Sequence, residues 1–509
     1  MFNGLYLRAL NHMLKPDNNN WFRKSDSGLY ELYAEGEPYA LGTSIGSLTR
    51  ELIVRQEDYF NEQIMRLVPS RTYVSFLKYL IRWFNRKLAR NVPEEYREEI
   101  RGISAFASDQ YGYIGNKYER ILNYHAAHDI GHALQNLALV GCSSFGTWGS
   151  RSQNKKLLVG RNFDFYAGDA FAQNKIVAFI RPQKGYGFVS VTWGGFTGVV
   201  SGMNERGLTV TINAAKSSIP WSSATPVSLV AREILQYAST ITEAYAIAAG
   251  RKMFVSESFL VGSAADGRAA IIEKTPGSLE LYDPGGESIT CTNHFQGRTL
   301  GATTLNKAHM DQSASAYRSR RLTELLESAG PNTVQQTIDI LRNQQGLGGK
   351  DIGMGNEKAV NQLIAHHSIV FEPAALRVWI STAPWQLGRY VAYDLGKVLA
   401  MGGAQPDHEI YDAEAGIPAD PFLSSPGYSD FEGYRALKQQ LETGADIDPD
   451  RLVAYNPSLY HAYVLGGNYL FKRKEYARAR SFYETALTRE VASRQEETYI
   501  RKQIQKCRL

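Results

Sequence analysis

The feature that most constrains this chain is a glycine–cysteine pair with an arginine and an aspartate close behind it. Cys142 follows Gly141 and opens the run Cys142-Ser143-Ser144-Phe145. Nineteen residues on comes Gly160-Arg161-Asn162-Phe163-Asp164-Phe165. The intervening Lys155-Lys156-Leu157-Leu158-Val159 reads as a turn entering a strand. A thiol next to a hairpin that carries Arg161 and Asp164 is a compact set of catalytic parts. It predicts that the working enzyme begins at Cys142, after the chain has cut itself between Gly141 and Cys142.

The chemistry supports that expectation. A cysteine at a new N-terminus holds a thiol and, on the same residue, an α-amine with a pKa of about 7.7–8.0. The amine can act as general base for its own thiol without a histidine. Gly141 tolerates the strained backbone expected when the thiol attacks the preceding carbonyl. Arg161 supplies positive charge beside the thiolate, and Asp164 orients the amine. Alone, Gly-Cys is read as a small buried apolar residue, and Arg-Asn-Phe-Asp as a strand end with a surface pair. Together they favour catalysis.

The two motifs resemble those of the N-terminal nucleophile (Ntn) cysteine hydrolases. The branch is the autoproteolytic acyltransferase/hydrolase family, peptidase family C45, which includes the fungal acyltransferase that attaches side chains to the penicillin nucleus. Acid ceramidase, penicillin V acylase and bile salt hydrolase are more distant relatives. The resemblance covers residues 28–395. Within it, Thr209-Val210-Thr211-Ile212-Asn213 resembles a strand ending in an Asn near the oxyanion. Thr290-Cys291-Thr292-Asn293 resembles the segment whose Asn side chain completes the oxyanion hole. Ser315-Ala316-Tyr317-Arg318 resembles a Ser-x-x-Arg helix start carrying the last active-site Arg, with Arg320 and Arg321 as competitors. The resemblance implies an α+β fold, a four-layer αββα sandwich with a helical N-terminal segment and a C-terminal helical hairpin.

Composition fits such an enzyme. Hydrophobic residues are 43% and charged residues 21%, ordinary for a globular chain able to bury a large core. A net charge of +5 over 509 residues gives no reason to expect nucleic acid. Three cysteines, Cys142, Cys291 and Cys507, are an odd number and no disulfide framework. No run approaches about 18 apolar residues, and the opening Met1-Phe2-Asn3-Gly4 starts no signal-like segment. A cytoplasmic location is slightly favoured; a periplasmic or membrane-anchored one stays open.

The chain divides into four stretches. Residues 1–141 are expected to be mostly helical and to stay associated after cleavage. They include a strand from Leu32 to Tyr39 and helices over 47–66 and 73–88. The second helix is basic and amphipathic: it packs with a solvated basic face or makes peripheral membrane contact. Residues 142–395 are the catalytic core. Alternating or apolar runs at 175–180, 187–193, 368–373 and 377–381 read as strands, and 227–249, 319–327 and 333–342 as helices. Residues 396–456, rich in Gly, Pro and Asp, read as a linker. Residues 457–509 resemble one tetratricopeptide-like helical hairpin, which docks on the enzyme or offers a platform for a protein partner.

Three other motifs are set aside. His125, His128 and His132 share a helix face, but no Glu stands between His128 and His132 as in a zinc-protease helix. They read as core or pocket-lining residues, with no metal and no cofactor expected. His294 beside Asn293 has no papain-like surroundings. Gly194-Gly195-Phe196-Thr197-Gly198 lacks the Lys-Ser/Thr of a P-loop and is expected to bring backbone close to a substrate.

The expected function is therefore an autoproteolytically activated N-terminal cysteine amidohydrolase or acyltransferase. It cleaves or transfers the acyl group of a small-molecule or lipid amide through a thioester at Cys142. Water, or an acceptor amine or thiol, takes the acyl group. Phe165, Trp193 and Phe196 are the candidates for an apolar acyl pocket. Two alternatives remain: a catalytically inert binding or scaffold protein of the same fold using the C-terminal hairpin, and a cysteine peptidase.

Overall fold

The computed structural model describes residues 19–67, 79, 83, 85, 88–134, 141–165, 168–218 and 223–507. Its strands follow the apolar and alternating runs of the sequence. They are β1 (Trp21–Lys24), β2 (Tyr30–Gly36), β3 (Ser143–Thr147), β4 (Leu158–Phe163), β5 (Ile176–Pro182), β6 (Phe188–Thr192), β7 (Ser201–Asn204) and β8 (Leu208–Ala214). Then come β9 (Glu257–Ser263), β10 (Arg268–Lys274), β11 (Leu279–Tyr282), β12 (Ser288–Cys291), β13 (His367–Glu372), β14 (Arg377–Ser381), β15 (Tyr390–Asp394) and β16 (Asp412–Ile417). They form a nine-stranded sheet, β1-β2-β5-β6-β7-β8-β9-β10-β11, and a seven-stranded sheet, β12-β3-β4-β13-β14-β15-β16.

The two sheets pack face to face. Leu157, Val159, Ile369 and Ile380 of one meet Val177, Phe179, Leu260 and Ile271 of the other in a single apolar cluster. Each outer face is covered by helices, because strands apolar on both faces need a second layer. On the nine-stranded sheet lie Pro38–Leu48, Glu94–Ser104, Lys117–Leu134, Val227–Tyr237 and Ile241–Gly250. On the other, Ser315–Ser328 and Val334–Leu341 pack against Phe145, Val370 and Trp379. The layers are αββα, an α+β architecture.

The expected N-terminal strand is β2; it pairs in parallel with β5, placing Leu32 opposite Ala178 and Ala34 opposite Ile180. Two regions differ from expectation. The expected helix over 47–66 is two helices, Pro38–Leu48 and Arg50–Leu67, which break at Thr49. Most of the expected basic helix over 73–88 lies outside the described residues. Residues 396–456 are not a linker. They hold the end of a helix at Leu395–Met401, the edge strand β16, and helices Pro426–Glu442 and Pro449–Tyr455.

The C-terminal part is accordingly larger than a hairpin. Tyr460–Lys472, Tyr476–Ala486 and Arg494–Lys506 continue the helical array. Leu452, Tyr460, Leu470, Tyr483 and Ile500 share one core with Leu363, Trp385 and Leu387 of the sandwich region. Gly466 and Gly467 are required there, since a Cβ on either would lie within 2.7 Å of the Phe482 or Tyr483 ring. No described helix is long and apolar enough to cross a membrane.

Candidate active site

The hairpin read from the sequence places the site. β3 and β4 pair antiparallel with Ser144 opposite Arg161 and Ser143 opposite Asn162. The ladder runs one step further, the Gly141 N–H donating to the Asp164 carbonyl at 3.0 Å. Side chains alternate along a strand, so Cys142, Ser144 and Arg161 share the face turned towards the nine-stranded sheet. Ser144 Oγ reaches across the sandwich to Asn213 Oδ1 on β8, 2.8 Å away. Ser143 and Asn162 face the other way, towards the helical layer, where Asn162 Nδ2 donates to the Leu341 and Val360 carbonyls.

Arg161 is fully buried. One Nη donates to the Val200 carbonyl and the Ser201 hydroxyl. The other donates to the Ile212 carbonyl and points at Cys142 Sγ, 3.5 Å away. Its guanidinium also lies over the Phe163 ring, 4.5 Å from the centroid. Burial raises the Cys142 thiol above its ordinary pKa, and Arg161 pulls against that rise. Asp164 is buried as well. Burial pushes its carboxyl up to about 7, against the pull of Arg318 and Arg161. Its Oδ1 accepts no hydrogen bond.

The loosest sequence assignment concerned three arginines, and geometry separates them. Arg318, buried, donates through Nη1 to the Gly141 carbonyl at 2.6 Å, the Cys142 carbonyl at 2.7 Å and Ser143 Oγ at 3.0 Å. Its Nη2 donates to Asn293 Oδ1 at 2.7 Å. Arg321 instead pairs with Glu324 and Asn343, and Arg320 lies over Tyr317. Asn293 is fixed at its other end by Nδ2 donating to the Ala214 carbonyl at 3.0 Å. Asn213 Nδ2 donates to the Cys291 carbonyl at 3.1 Å. Arg161, Asp164, Asn293 and Arg318 thus converge, directly or through one neighbour, on the Gly141–Cys142 bond, while Asn213 stands further off, held by Ser144 Oγ and the Cys291 carbonyl.

The aromatic candidates also come together. Trp193 stacks on Phe196 with centroids 4.2 Å apart, and on Phe163 at 6.4 Å; Phe163 in turn stacks on Phe165. The wall therefore stands next to Arg161, through Phe163. The glycine loop at 194–198 packs closely here. A Cβ on Gly194 would strike the Leu52 backbone at 2.4 Å, and Gly195 has φ 80°. The Thr197 N–H donates to His125 Nε2 at 2.9 Å, while His125 Nδ1 lies 2.8 Å from the Ile121 carbonyl. Both ring nitrogens of His125 are thereby engaged, and burial lowers its pKa to about 4. The side chains of His128 and His132 lie outside the described residues. His294 sits against Ser315 Oγ at 2.8 Å, away from the thiol's own contacts.

Sequence reasoning missed four groups. Gln362 Nε2 donates to the Gly141 carbonyl at 2.7 Å. His367 Nε2 lies 2.9 Å from Ser201 Oγ, the hydroxyl that also accepts from Arg161. Glu257, opposite Ala214 in β8's pairing with β9, is fully buried with neither carboxyl oxygen hydrogen-bonded. His367 and Glu257 are strand residues, indistinguishable by pattern from their neighbours. Gln362 and Ser201 offered no spacing that could have marked them.

Residues 150–384 match the family model described as acyl-coenzyme A:6-aminopenicillanic acid acyl-transferase. The match takes in Arg161, Asp164, Asn213, Asn293, Arg318 and Gln362 and begins after Cys142. An uncharacterized protein of Archaeoglobus fulgidus is 26% identical over 267 residues, 49% of this chain and 43% of that protein. The chain thus spans less than half the length of the curated relative it matches. Among solved structures, a Caenorhabditis elegans N-acylethanolamine-hydrolyzing acid amidase ortholog is 16% identical, covering 46% of this chain and 93% of that one, with a TM-score of 0.33. A penicillin V acylase from Agrobacterium tumefaciens is 16% identical over 50% of this chain and 87% of its own, TM-score 0.34. A mutant conjugated bile acid hydrolase from Clostridium perfringens is 14% identical over 53% and 96%, TM-score 0.32.

Proposed function

We propose that this chain, an Ntn-hydrolase of the amide hydrolase or acyltransferase type, cuts itself between Gly141 and Cys142 and then uses the freed cysteine to open amides. The observation that carries the reading is the convergence of donors on one peptide bond. Arg318 and Gln362 hold the Gly141 carbonyl, and Arg161 points at Cys142 Sγ. A structural cysteine needs none of these.

In turnover, the thiolate of Cys142 attacks the substrate carbonyl. Arg161 stabilises the thiolate, and the α-amine of Cys142 carries the thiol proton to the departing amine. Asp164, at the end of the β4 ladder, orients that amine. Asn293 and the backbone near Asn213 stabilise the oxyanion, which is typically worth about 3–4 kcal/mol per donor. The resulting thioester releases its acyl group to water or to an acceptor amine or thiol. The wall of Phe165, Trp193 and Phe196 favours an apolar acyl group, each buried CH₂ adding about 0.8 kcal/mol at most. The substrate class is therefore a small-molecule or lipid amide, handled without metal or nucleotide.

The piece spanning 1–141 should stay bound after cleavage. It supplies β1, β2 and helices whose Leu41, Tyr96 and Ile100 lie in the core over the nine-stranded sheet. Intact-protein mass spectrometry tests the reading. The expected result is two masses, for 1–141 and 142–509, that co-purify, with an N-terminal sequence of Cys-Ser-Ser-Phe on the larger. A fully active enzyme with the 141–142 bond intact would overturn it.

A further inference from the structure

The group that polarises the bond to be cut lies far along the chain, in a loop under unusual constraint. Gln362 is buried. Its Nε2 donates to the Gly141 carbonyl oxygen at 2.7 Å and lies 3.4 Å from Asp164 Oδ2. The next residue, Leu363, has φ 54°, a left-handed conformation a branched side chain adopts only when its surroundings force it. Those surroundings are identifiable. The Leu363 N–H donates to Asn361 Oδ1 at 2.9 Å, and the Leu363 side chain is buried in the core of the C-terminal helices. Asn456 clamps Met354 with both ends of its amide, and Glu490 pairs with Lys358 at 2.7 Å. The C-terminal helices thus pin the loop that aims Gln362.

Gly141 completes the picture. It has no left-handed φ, so backbone freedom does not explain it. A Cβ built on it would lie 2.3 Å from Gln362 Nε2 and 2.8 Å from its Cδ. Glycine at this position is what leaves room for the Gln362 amide against the carbonyl.

Building on the self-cleavage reading, we propose that Gln362, together with Arg318, forms the oxyanion hole of self-cleavage, and that residue 141 must be glycine to admit it. Sγ of Cys142 attacks the Gly141 carbonyl carbon, and the oxygen takes the negative charge between Gln362 Nε2 and Arg318 Nη1. The C–N bond then breaks, and the thiol proton ends on the departing Cys142 nitrogen. Water hydrolyses the resulting thioester: its hydroxyl goes to the Gly141 carbonyl and its proton to Sγ. This leaves the thiol and a Gly141 carboxyl group, whose proton passes to the freed Cys142 amine.

The test follows conversion of freshly translated full-length chain to the two pieces by mass spectrometry. The variants are Gln362→Met, Gly141→Ala and the two combined. Gln362→Met keeps length and loses the donors, so cleavage should slow by about 10²–10³-fold, the usual effect of one oxyanion donor. Gly141→Ala retains Gln362 but displaces its amide and should slow cleavage comparably. The double variant should be little slower than either alone, because both changes remove one interaction. Cleavage of Gln362→Met at the wild-type rate would overturn the inference, as would fully multiplicative slowing in the double variant. Were Gln362→Met to misfold, seen as lost cooperative melting in a Cys142→Ala background, Gly141→Ala cleaving at the wild-type rate would still overturn it. If the wild-type chain never cleaves, the self-cleavage reading itself fails, a different result from a wild type that cleaves beside an unimpaired variant.

Discussion

Two sets of buried charges lie on either side of the nine-stranded sheet, and they are built on opposite rules. Among the outer helices, Arg120 Nε meets Glu57 Oε1 at 2.9 Å, its Nη1 donates to the Gly115 carbonyl, and Glu57 Oε2 accepts the Ser108 N–H at 2.6 Å. Arg232 likewise meets Glu99, the Thr197 carbonyl and Gln236. In both of these pairs each charge meets an opposite partner, and its remaining hydrogen-bonding positions are largely filled. Around Cys142 neither guanidinium forms a salt bridge among the described residues. Arg161 and Arg318 donate to carbonyls, hydroxyls, an amide and a thiol, and the Nε of each has no acceptor. Asp164 Oδ1 and both oxygens of Glu257 accept nothing.

Leaving buried polar groups unpaired costs free energy. The outer pairs spend their charges on holding helices to the sheet. On the proposed mechanism the unfilled positions at the site would serve an oxyanion, a freed amine and a departing proton. Perturbed, incompletely satisfied ionisable groups cluster where chemistry is done, which supports that reading.

The comparison breaks most visibly at Cys142. Cys142→Ala should abolish both self-cleavage and amide turnover while the chain still melts cooperatively, since no other nucleophile is proposed. Residual turnover above background in that variant would mean that the reserved charges serve another residue. The converse experiment is Glu57→Ala. Removing one partner of a buried pair should cost about 3–5 kcal/mol of stability, read by denaturant unfolding, with turnover per folded molecule retained. Equal loss of turnover in the folded fraction would erase the distinction between the two sets. Asn293→Ala should lower kcat by about 10²–10³-fold with a smaller effect on stability. Unchanged kcat would remove Asn293 from the oxyanion hole.

What was legible in the sequence follows the same division. Cys142, Arg161 and Asp164 could be read because a hairpin converts short sequence spacing into spatial proximity. Asn213, Asn293 and Arg318 needed the family resemblance to be seen at all. For Arg318 against Arg320 and Arg321, periodicity did not suffice, since helix neighbours three apart share a face; burial against Gly141 separates them. The strands β5, β6, β13 and β14 were plain from apolar runs. The pairing of β2 with β5 was not, since it joins residues more than 140 apart along the chain. β16, Asp412-Ala413-Glu414-Ala415-Gly416-Ile417, has almost no strand propensity and forms because β15 offers it an edge. The helix Pro426–Glu442 carries start signals, Ser425 as cap and Pro426 in the first turn, but the surrounding Gly, Pro and Asp read as a linker. Gln362 lies in an aperiodic loop, where tertiary packing alone decides direction.

The smallest expected effect sharpens the comparison at its least conspicuous residue. Burial holds the Glu257 carboxyl well above its ordinary pKa; Asp129 adds to the rise and Arg161 opposes it. Because the folded-state pKa is the higher one, the folded chain keeps a proton that the unfolded chain releases above about pH 4.3. Stability is therefore lost as pH rises through that value and towards the folded pKa. Glu257→Gln removes the titrating proton with little change in shape, so its melting temperature should exceed that of its parent at about pH 8 and approach it at about pH 4. Both chains would carry Cys142→Ala, so that cleavage does not alter the comparison. A gap independent of pH would mean that burial does not hold a proton on Glu257, and that the unfilled positions of the site are confined to Asp164 and the two arginines.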